Sequence, residues 1–340
     1  MPIPTKINDG NSGASVFKSL QAGLQKCYNL LVFRGASMFP FPITRFFAMF
    51  SIGFGSFQPL PVSLLVVSIM MSAAHADDEI RTIPAISYGP SAEEVADLCL
   101  PPTTSPVAPA IIFIHAGTWI KGVQSSFDKV CQEAAQHGIF GMTIQYRLAP
   151  ENSWPAQLED AQLAVRWLRA HAKDYNVDPG RICSWGRSAG AHLAVFLGVL
   201  QTTRPGDRAG LYANESPAVS CVVDNFGPVD LTNAGRLQRG ADRLVGNSSD
   251  AALRDASPIF LVNSHTAPIL IIQGDADEAV NHTEQSEKLY DALKQRGIPT
   301  QLIVYHGGHG FKGASRDEIN QYEDTAIRFV LSTLNVQAPK

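Results

Sequence analysis

The sequence predicts an α/β fold, a mostly parallel sheet with helices on both faces. Three observations carry that reading. Short apolar runs alternate with amphipathic helical stretches over residues 105–335, the pattern of parallel strands joined by crossover helices. The runs are continuously apolar, as in Ala110-Ile111-Ile112-Phe113-Ile114, which is what strands buried on both faces require. Every polar motif falls directly after such a run, where sheets of this kind bind ligands.

In chain order, Ile83–Tyr88 and Val95–Leu100 flank the turn residues Gly89-Pro90-Ser91 and read as a hairpin or two edge strands. Pro101–Pro109 is a proline-rich connection, and the strand at 110–114 ends in His115-Ala116-Gly117-Thr118-Trp119. Ser126–His137 reads as helix and Ile139–Tyr146 as strand. Leu158, Ala161, Val165 and Leu168 then recur at helical spacing, with Glu159, Asp160, Arg166 and Arg169 on the other faces. Asn176–Gly180 is a turn, followed by an apolar strand, the serine motif discussed below and a helix over Ala189–Leu200. Val219–Asp224 is strand-like, and residues 226–262, which show no clear period, are expected to carry a small lid. The chain closes with a strand at Pro268–Gln273, a helix at Glu284–Gln295, a strand at Gln301–Tyr305 and a helix at Asp317–Leu334.

Composition bounds the function classes. The chain has 340 residues, 45% hydrophobic and 17% charged, an ordinary globular mix. Its net charge is −4 and it has no basic run, so no nucleic-acid partner is expected. Residues 1–76 stand apart as a leader, with 77–340 as the folded domain. Lys6, Lys18, Lys26, Arg34 and Arg45 make the start basic, Leu60–Met71 is apolar, and Ser72-Ala73-Ala74-His75-Ala76 follows. That is the layout of a secretory signal cleaved after Ala76, with translation starting at an internal methionine such as Met38 or Met49 as one account of its length. The competing reading is an uncleaved anchor, the one route to membrane contact; the apolar core is short for a span and Pro59 and Pro61 interrupt its start. A secreted or periplasmic location is expected. Cleavage would leave Cys99, Cys131, Cys183 and Cys221, which an oxidising compartment allows to pair. Cys183 and Cys221 lie inside apolar runs and are read as buried thiols. No Cys-x-x-Cys pair and no His/Asp cluster of ligand spacing occurs, so neither metal nor cofactor is expected.

The chemistry centres on Gly186-Arg187-Ser188-Ala189-Gly190, set between an apolar strand and a helix. A serine on so tight a strand-to-helix turn is the nucleophile-elbow pattern. The glycines are there because the turn has no room for side chains, and the helix points its positive end at the serine, where negative charge develops. Alone the motif is weak. A serine hydroxyl needs a base, and the base needs an orienting carboxylate. Downstream, Asp275 and Asp277 follow one strand, and His306 and His309 follow the next, in the chain order this fold uses.

With these residues the chain resembles the α/β-hydrolases of the hormone-sensitive-lipase-like and feruloyl-esterase-like carboxylesterase group over roughly residues 80–335. The resemblance rests on Tyr146-Arg147-Leu148-Ala149-Pro150-Glu151, Val177-Asp178-Pro179 and Ser188-Ala189-Gly190-Ala191-His192-Leu193-Ala194. It rests equally on Gly274-x-x-Asp277-x-x-Val280, Glu284-Gln285-Ser286 and Gly308-His309-Gly310-Phe311. It implies Ser188 as nucleophile, Asp277 as orienting acid and His309 as base, with no cofactor. Asp275 competes with Asp277 but is read as a turn residue, and His306 lacks the Gly-His-Gly-Phe setting. Oxyanion donors are expected from the N–H groups of Ala189, Gly117 and Ala116. Ala116 stands where the family has glycine, so it serves only if its φ is negative. His115 is read as holding that loop and His192 as a packed helix residue. Arg187, where the group is often acidic or polar, would either favour anionic substrates or pair with a lid acid. Residues 77–105 and 226–262 are expected to shape the pocket.

The expected activity is therefore carboxylic-ester hydrolysis of a small molecule through an acyl-enzyme. Amide or peptide hydrolysis on the same fold is the second reading. The third, from another class, is a ligand-binding protein on an inactive hydrolase scaffold, which predicts a missing member of the Ser188, Asp277, His309 set.

Overall fold

The computed structural model describes residues 79–102, 107–202, 211–247 and 249–336. The leader and its cleavage site after Ala76 lie outside them. Strands β1 (Arg81–Ser87) and β2 (Val95–Leu100) form the expected antiparallel hairpin. Then come β3 (Ala108–Ile114), helix α1 (Asp128–Gln136), β4 (Phe140–Ile144), α2 (Ala156–Ala170), β5 (Val177–Arg187) and α3 (Ala189–Leu200). After β6 (Val222–Asn225), an insertion holds α4 (Gln238–Val245) and α5 (Asp250–Asp255) among short 3-10 turns. The chain closes with β7 (Ile269–Gly274), α6 (Lys288–Gln295), β8 (Thr300–Tyr305) and α7 (Arg316–Thr333).

One eight-stranded sheet results, in the order β1-β2-β4-β3-β5-β6-β7-β8. From β4 to β8 every pairing is parallel, and β2 joins β4 antiparallel. Side chains alternate across a strand, and both faces of β3 are covered. Ile112 and Ile114 pack on Leu158, Val165, Leu193 and Phe196 of α2 and α3, in one core with Leu289 and Leu293 of α6. Ile111 and Phe113 lie in the opposite core with Val130 and Ala134 of α1 and Ile327 and Val330 of α7. Burial on both faces explains why the strands read as unbroken apolar runs. Helix α3 is buried from Ala189 through Val199, which is why it shows no polar stripe.

Two expectations change. Of the expected turn at Asn176–Gly180, Val177–Gly180 lies within β5 as a bulge. Val177 pairs with Ala108, the register shifts, and the Asp178 carboxylate takes up the Gly180 N–H at 2.8 Å. Cys183 and Cys221 are not free thiols but a disulfide, as are Cys99 and Cys131. Cys183 lies on β5 and Cys221 on the turn entering β6, so neighbouring parallel strands bring the sulfurs together. An apolar run hides this because a disulfide is itself apolar and buried. With separations of 32 and 38 residues, each bridge removes about 3–4 kcal/mol of loop entropy from the unfolded chain.

Asp224 of β6 is fully buried. Its Oδ1 accepts the Gly227 N–H at 2.7 Å, and burial pushes its carboxyl up to about 7 against that one hydrogen bond. A raised carboxyl keeps its proton longer in the folded state. Its contribution to stability is full below about pH 4 and is lost as pH rises to 7. Between pH 5 and 7 the loss is on the order of 2–3 kcal/mol. Asp224→Asn keeps the oxygen that faces Gly227 and does not titrate, so it should gain on the wild type across that interval. Urea midpoints at the two pH values check this; parallel shifts of both proteins would refute it.

Candidate active site

Strand β5 ends at Arg187 and α3 begins at Ala189, leaving Ser188 alone at the turn. Its φ of 52° and ψ of −117° lie outside the regions a serine prefers, a strain of about 1–3 kcal/mol that surrounding structure must enforce. The Ser188 N–H donates to the Asn225 carbonyl at 2.9 Å, and the His192 N–H closes the first helical turn on the Ser188 carbonyl at 3.0 Å. A Cβ on Gly186 would stand 2.2 Å from the Gly190 carbonyl, and one on Gly190 would stand 2.0 Å from the Ile114 oxygen. The two glycines thus let β5, α3 and β3 converge on the serine.

The loops after β7 and β8 bring Asp277 and His309 to it. Asp277 is 5% exposed. Its Oδ1 accepts the N–H groups of Ala279 and Val280 at 2.8 and 2.9 Å. Its Oδ2 accepts the Gln273 amide at 3.0 Å and His309 Nδ1–H at 2.7 Å. Burial pushes the Asp277 carboxyl up, but the hydrogen bonds from His309 and these backbone groups prevail and hold it below the ordinary carboxylate value. With its proton on Nδ1, His309 turns Nε2 to Ser188 Oγ, whose O–H donates at 2.9 Å. Phe226 meets the imidazole edge-on at 5.0 Å. The loop carrying His309 is set by Tyr305, whose hydroxyl donates to the Gly308 carbonyl and accepts the Phe311 N–H. Asp275 and His306 instead form an exposed pair of their own at 3.0 Å, with the histidine side chain 95% exposed. The chain therefore places Asp277 and His309, not their neighbours, against Ser188.

The segment after β3 faces the serine from the other side. Ala116 and Gly117 line the cleft with Ser188. Ala116 is not among the residues with positive φ, so alanine is accommodated there, whereas Gly117 sits at +132°, and a Cβ there would strike the Lys121 carbonyl. Ala189 opens α3, so its N–H has no acceptor within the helix. The motif after β4 holds this loop. Tyr146 stacks on the His115 ring at 4.2 Å and donates its hydroxyl to the His115 carbonyl, and the Ala149 N–H donates to the Trp119 carbonyl at 2.9 Å. Arg147 anchors the motif to α2 through Asp160 and Glu159, at 2.7 and 2.8 Å. His115 is buried and does not reach the serine; burial lowers its imidazole to about 4, so it stays neutral and structural.

The cleft at Ser188 holds about 430 Å³. Its walls correct the sequence reading. Among the described residues none comes from 77–105; Phe226 lies in the expected stretch 226–262, and the others are Phe311 and the first turns of α7 at Arg316, Ile319 and Glu323. The lid insertion contributes Phe226 and otherwise packs Leu231, Ala241, Leu244 and Ala256 on Trp119 and Ala189. Arg187 does pair with an acid, at 2.7 Å, but that acid is Glu323 of α7 and not of the lid, and its guanidinium lies 4.3 Å over the Phe127 ring. A larger open groove of about 870 Å³ lies at the amino ends of β7 and β8, lined by Pro268, Thr300 and Arg328, and holds none of the groups above. Sequence reasoning missed Gln273, whose amide holds both Asp277 and the Val280 carbonyl while its oxygen accepts from Ser286. Its signal was present: a lone polar residue at the end of a strand buried on both faces. Among the described residues no group of His, Cys, Asp and Glu is placed to hold a metal, and no helix is long and apolar enough to cross a membrane.

Residues 96–293, more than half of the chain, match the family described as BD-FAE. The chain belongs to the BD-FAE family. Among its relatives, the esterase LipQ of Mycobacterium tuberculosis is 31% identical over 229 residues, 63% of this chain and 53% of its own length. The esterase LipC of the same organism is 30% identical over 216 residues, 60% of this chain and 53% of its own length. This BD-FAE chain thus spans about half the length of the curated relatives it matches. A truncated carbohydrate esterase from gut microbiota shares the fold with a TM-score of 0.66 at 28% identity, covering 76% of this chain and 98% of that one. An acetyl ester-xyloside bifunctional hydrolase from Caldicellulosiruptor lactoaceticus aligns with a TM-score of 0.63 at 26% identity, over 72% of this chain and 90% of that one. The BD-FAE assignment and these neighbours agree with the resemblance read from the motifs, and the α/β-hydrolase architecture is the one they share.

Proposed function

We propose that the protein is a carboxylic-ester hydrolase in which Ser188 is the nucleophile, His309 the general base and Asp277 the acid that orients it. The observation that carries this is the unbroken hydrogen-bond chain from Asp277 Oδ2 through His309 to Ser188 Oγ, at the mouth of a cleft. His309 Nε2 takes the Ser188 proton as Oγ attacks the ester carbonyl. The resulting oxyanion is met by the N–H of Ala189 and by those of Gly117 and Ala116. Donors placed in advance are worth roughly 100- to 1000-fold in rate each. His309 then gives its proton to the leaving alcohol, and water repeats the sequence on the acyl-enzyme. The inactive-scaffold reading predicted a missing partner, and none of the three is missing. Relatives named as esterases, a carbohydrate esterase and an acetyl-ester hydrolase among them, support short acyl esters as the first substrates to try. A fluorophosphonate probe is expected to label the folded protein once, on the peptide containing Ser188, and to abolish hydrolysis of p-nitrophenyl acetate. Absence of labelling in an intact fold would sink the assignment, and matched anilides decide between ester and amide.

We further infer export. The signal-like layout of residues 1–76 motivates it, and two disulfides in the folded domain favour an oxidising compartment. Intact mass of the protein recovered from its native compartment should correspond to a chain starting at Asp77; a chain retaining residues 1–76 would overturn cleavage.

A further inference from the structure

The segment after β3 has an unusual backbone. Gly117, Thr118 and Trp119 follow one another with φ of 132°, 57° and 62°. Only the first is a glycine; the others are β-branched and aromatic, types that rarely adopt such values. A segment of this kind keeps its shape only where its surroundings over-determine it, and the N–H of Gly117 must stay aimed beside Ser188 for the proposed chemistry.

The anchor is in view. Trp119 is fully buried, and its indole N–H donates to His192 Nδ1 at 3.2 Å. An indole N–H only donates, so Nδ1 accepts and the imidazole proton sits on Nε2. Nε2–H in turn donates to the Ala256 carbonyl at 2.8 Å, just beyond α5 in the lid insertion. His192 lies one helical turn after Ser188 and closes that turn through its own N–H. Phe196 and Trp154 complete the box around its ring, at 5.0 and 5.7 Å. A single buried imidazole therefore joins the strained loop, the helix that carries the serine and the lid.

We propose that His192 is a positioning residue. By accepting the Trp119 indole N–H it fixes the loop that presents the Ala116 and Gly117 N–H groups to the oxyanion, and its bond to the Ala256 carbonyl holds the imidazole proton on Nε2 so that Nδ1 stays free to accept. This rests on the ester-hydrolase reading above. The residue touches no substrate, so its effect falls on the tetrahedral state and not on ground-state binding.

Two replacements separate its two bonds. In His192→Asn the amide oxygen takes the place of Nδ1 and keeps an acceptor for Trp119. In His192→Gln the terminal amide takes the place of Nε2 and keeps only the donor to Ala256. Trp119→Phe removes the indole N–H from the other side. Rates are taken per fluorophosphonate-labelled site, which discounts unfolded protein. With p-nitrophenyl acetate, His192→Gln and Trp119→Phe are expected to lose tenfold or more in kcat with KM within twofold. Their affinity for an aryl trifluoromethyl ketone, which forms a reversible tetrahedral adduct, should weaken by the same factor. The double variant should be no worse than either single one, and His192→Asn should stay within threefold of the wild type. In the wild type, nitrogen-15 spectra of labelled histidine should show His192 protonated on Nε2, a readout that needs no variant to fold. A wild type that hydrolyses esters, with unchanged kcat per site in His192→Gln and Trp119→Phe or with His192 protonated on Nδ1, overturns the positioning role alone. A wild type that neither hydrolyses esters nor takes the label overturns the ester-hydrolase reading and this proposal with it.

Discussion

Ser188→Ala is expected to lower kcat on p-nitrophenyl acetate by roughly 10⁴- to 10⁶-fold, the range found when a serine nucleophile of this type is removed. The fold should survive. Alanine is smaller than serine, and the positive φ at this position is imposed by the convergence of β5, α3 and β3 and not by the hydroxyl. The one side-chain bond lost is that to His309 Nε2, on a partly exposed ring, so the melting temperature should move little. The variant retains Ala116, Gly117 and Ala189 and should show a small residual rate. Activity within tenfold of the wild type would place the chemistry elsewhere. Loss of activity together with loss of the cooperative melting transition would show that the residue is needed for folding.

Asp277→Asn is expected to cost roughly 10³- to 10⁴-fold in kcat, and the structure says why an amide fails. The N–H groups of Ala279 and Val280 both donate to Oδ1, so an asparagine must place its oxygen there. Its NH₂ then faces His309 Nδ1 and the Gln273 amide, where two donors already point at Oδ2. To relieve the clash His309 must move its proton to Nε2, and it can no longer accept one from Ser188. Asp275→Asn is the control. Asp275 is exposed, and among the described residues its side-chain partner is His306, so kcat should stay within about threefold. Equal losses in the two variants would refute the choice of Asp277.

Much of the fold was legible because its signals are local. The apolar runs of β3 to β7 and the spacing of Leu158, Ala161, Val165 and Leu168 follow from which faces are buried. The errors arose where burial looks the same for different chemistry. A half-cystine in a buried run is indistinguishable from a small apolar residue, so the runs around Cys183 and Cys221 carry no sign of their disulfide. An extended bulge and a turn share Asp-Pro-Gly chemistry, so Asp178–Gly180 looks in sequence like a break between strands. Of the cleft walls, Phe226 falls in the expected stretch 226–262, whereas Arg316, Ile319 and Glu323 of α7 look in sequence like an ordinary amphipathic surface.

The sequence by itself determined the order of elements, the two glycines that let the chain turn so sharply around Ser188, and the succession serine, aspartate, histidine at strand ends. Those are properties of short stretches, set by side-chain bulk and by the periods 2 and 3.6. The tertiary structure alone decided which groups meet. Ser188 and His309 are 121 residues apart, Arg187 and Glu323 136, Trp119 and His192 73. Each of these pairings depends on strand order and loop direction, and on the close packing that leaves one partner within hydrogen-bond reach. Local periodicity does not encode that choice; the sheet, with β3 beside β5 and β7 beside β8, makes it.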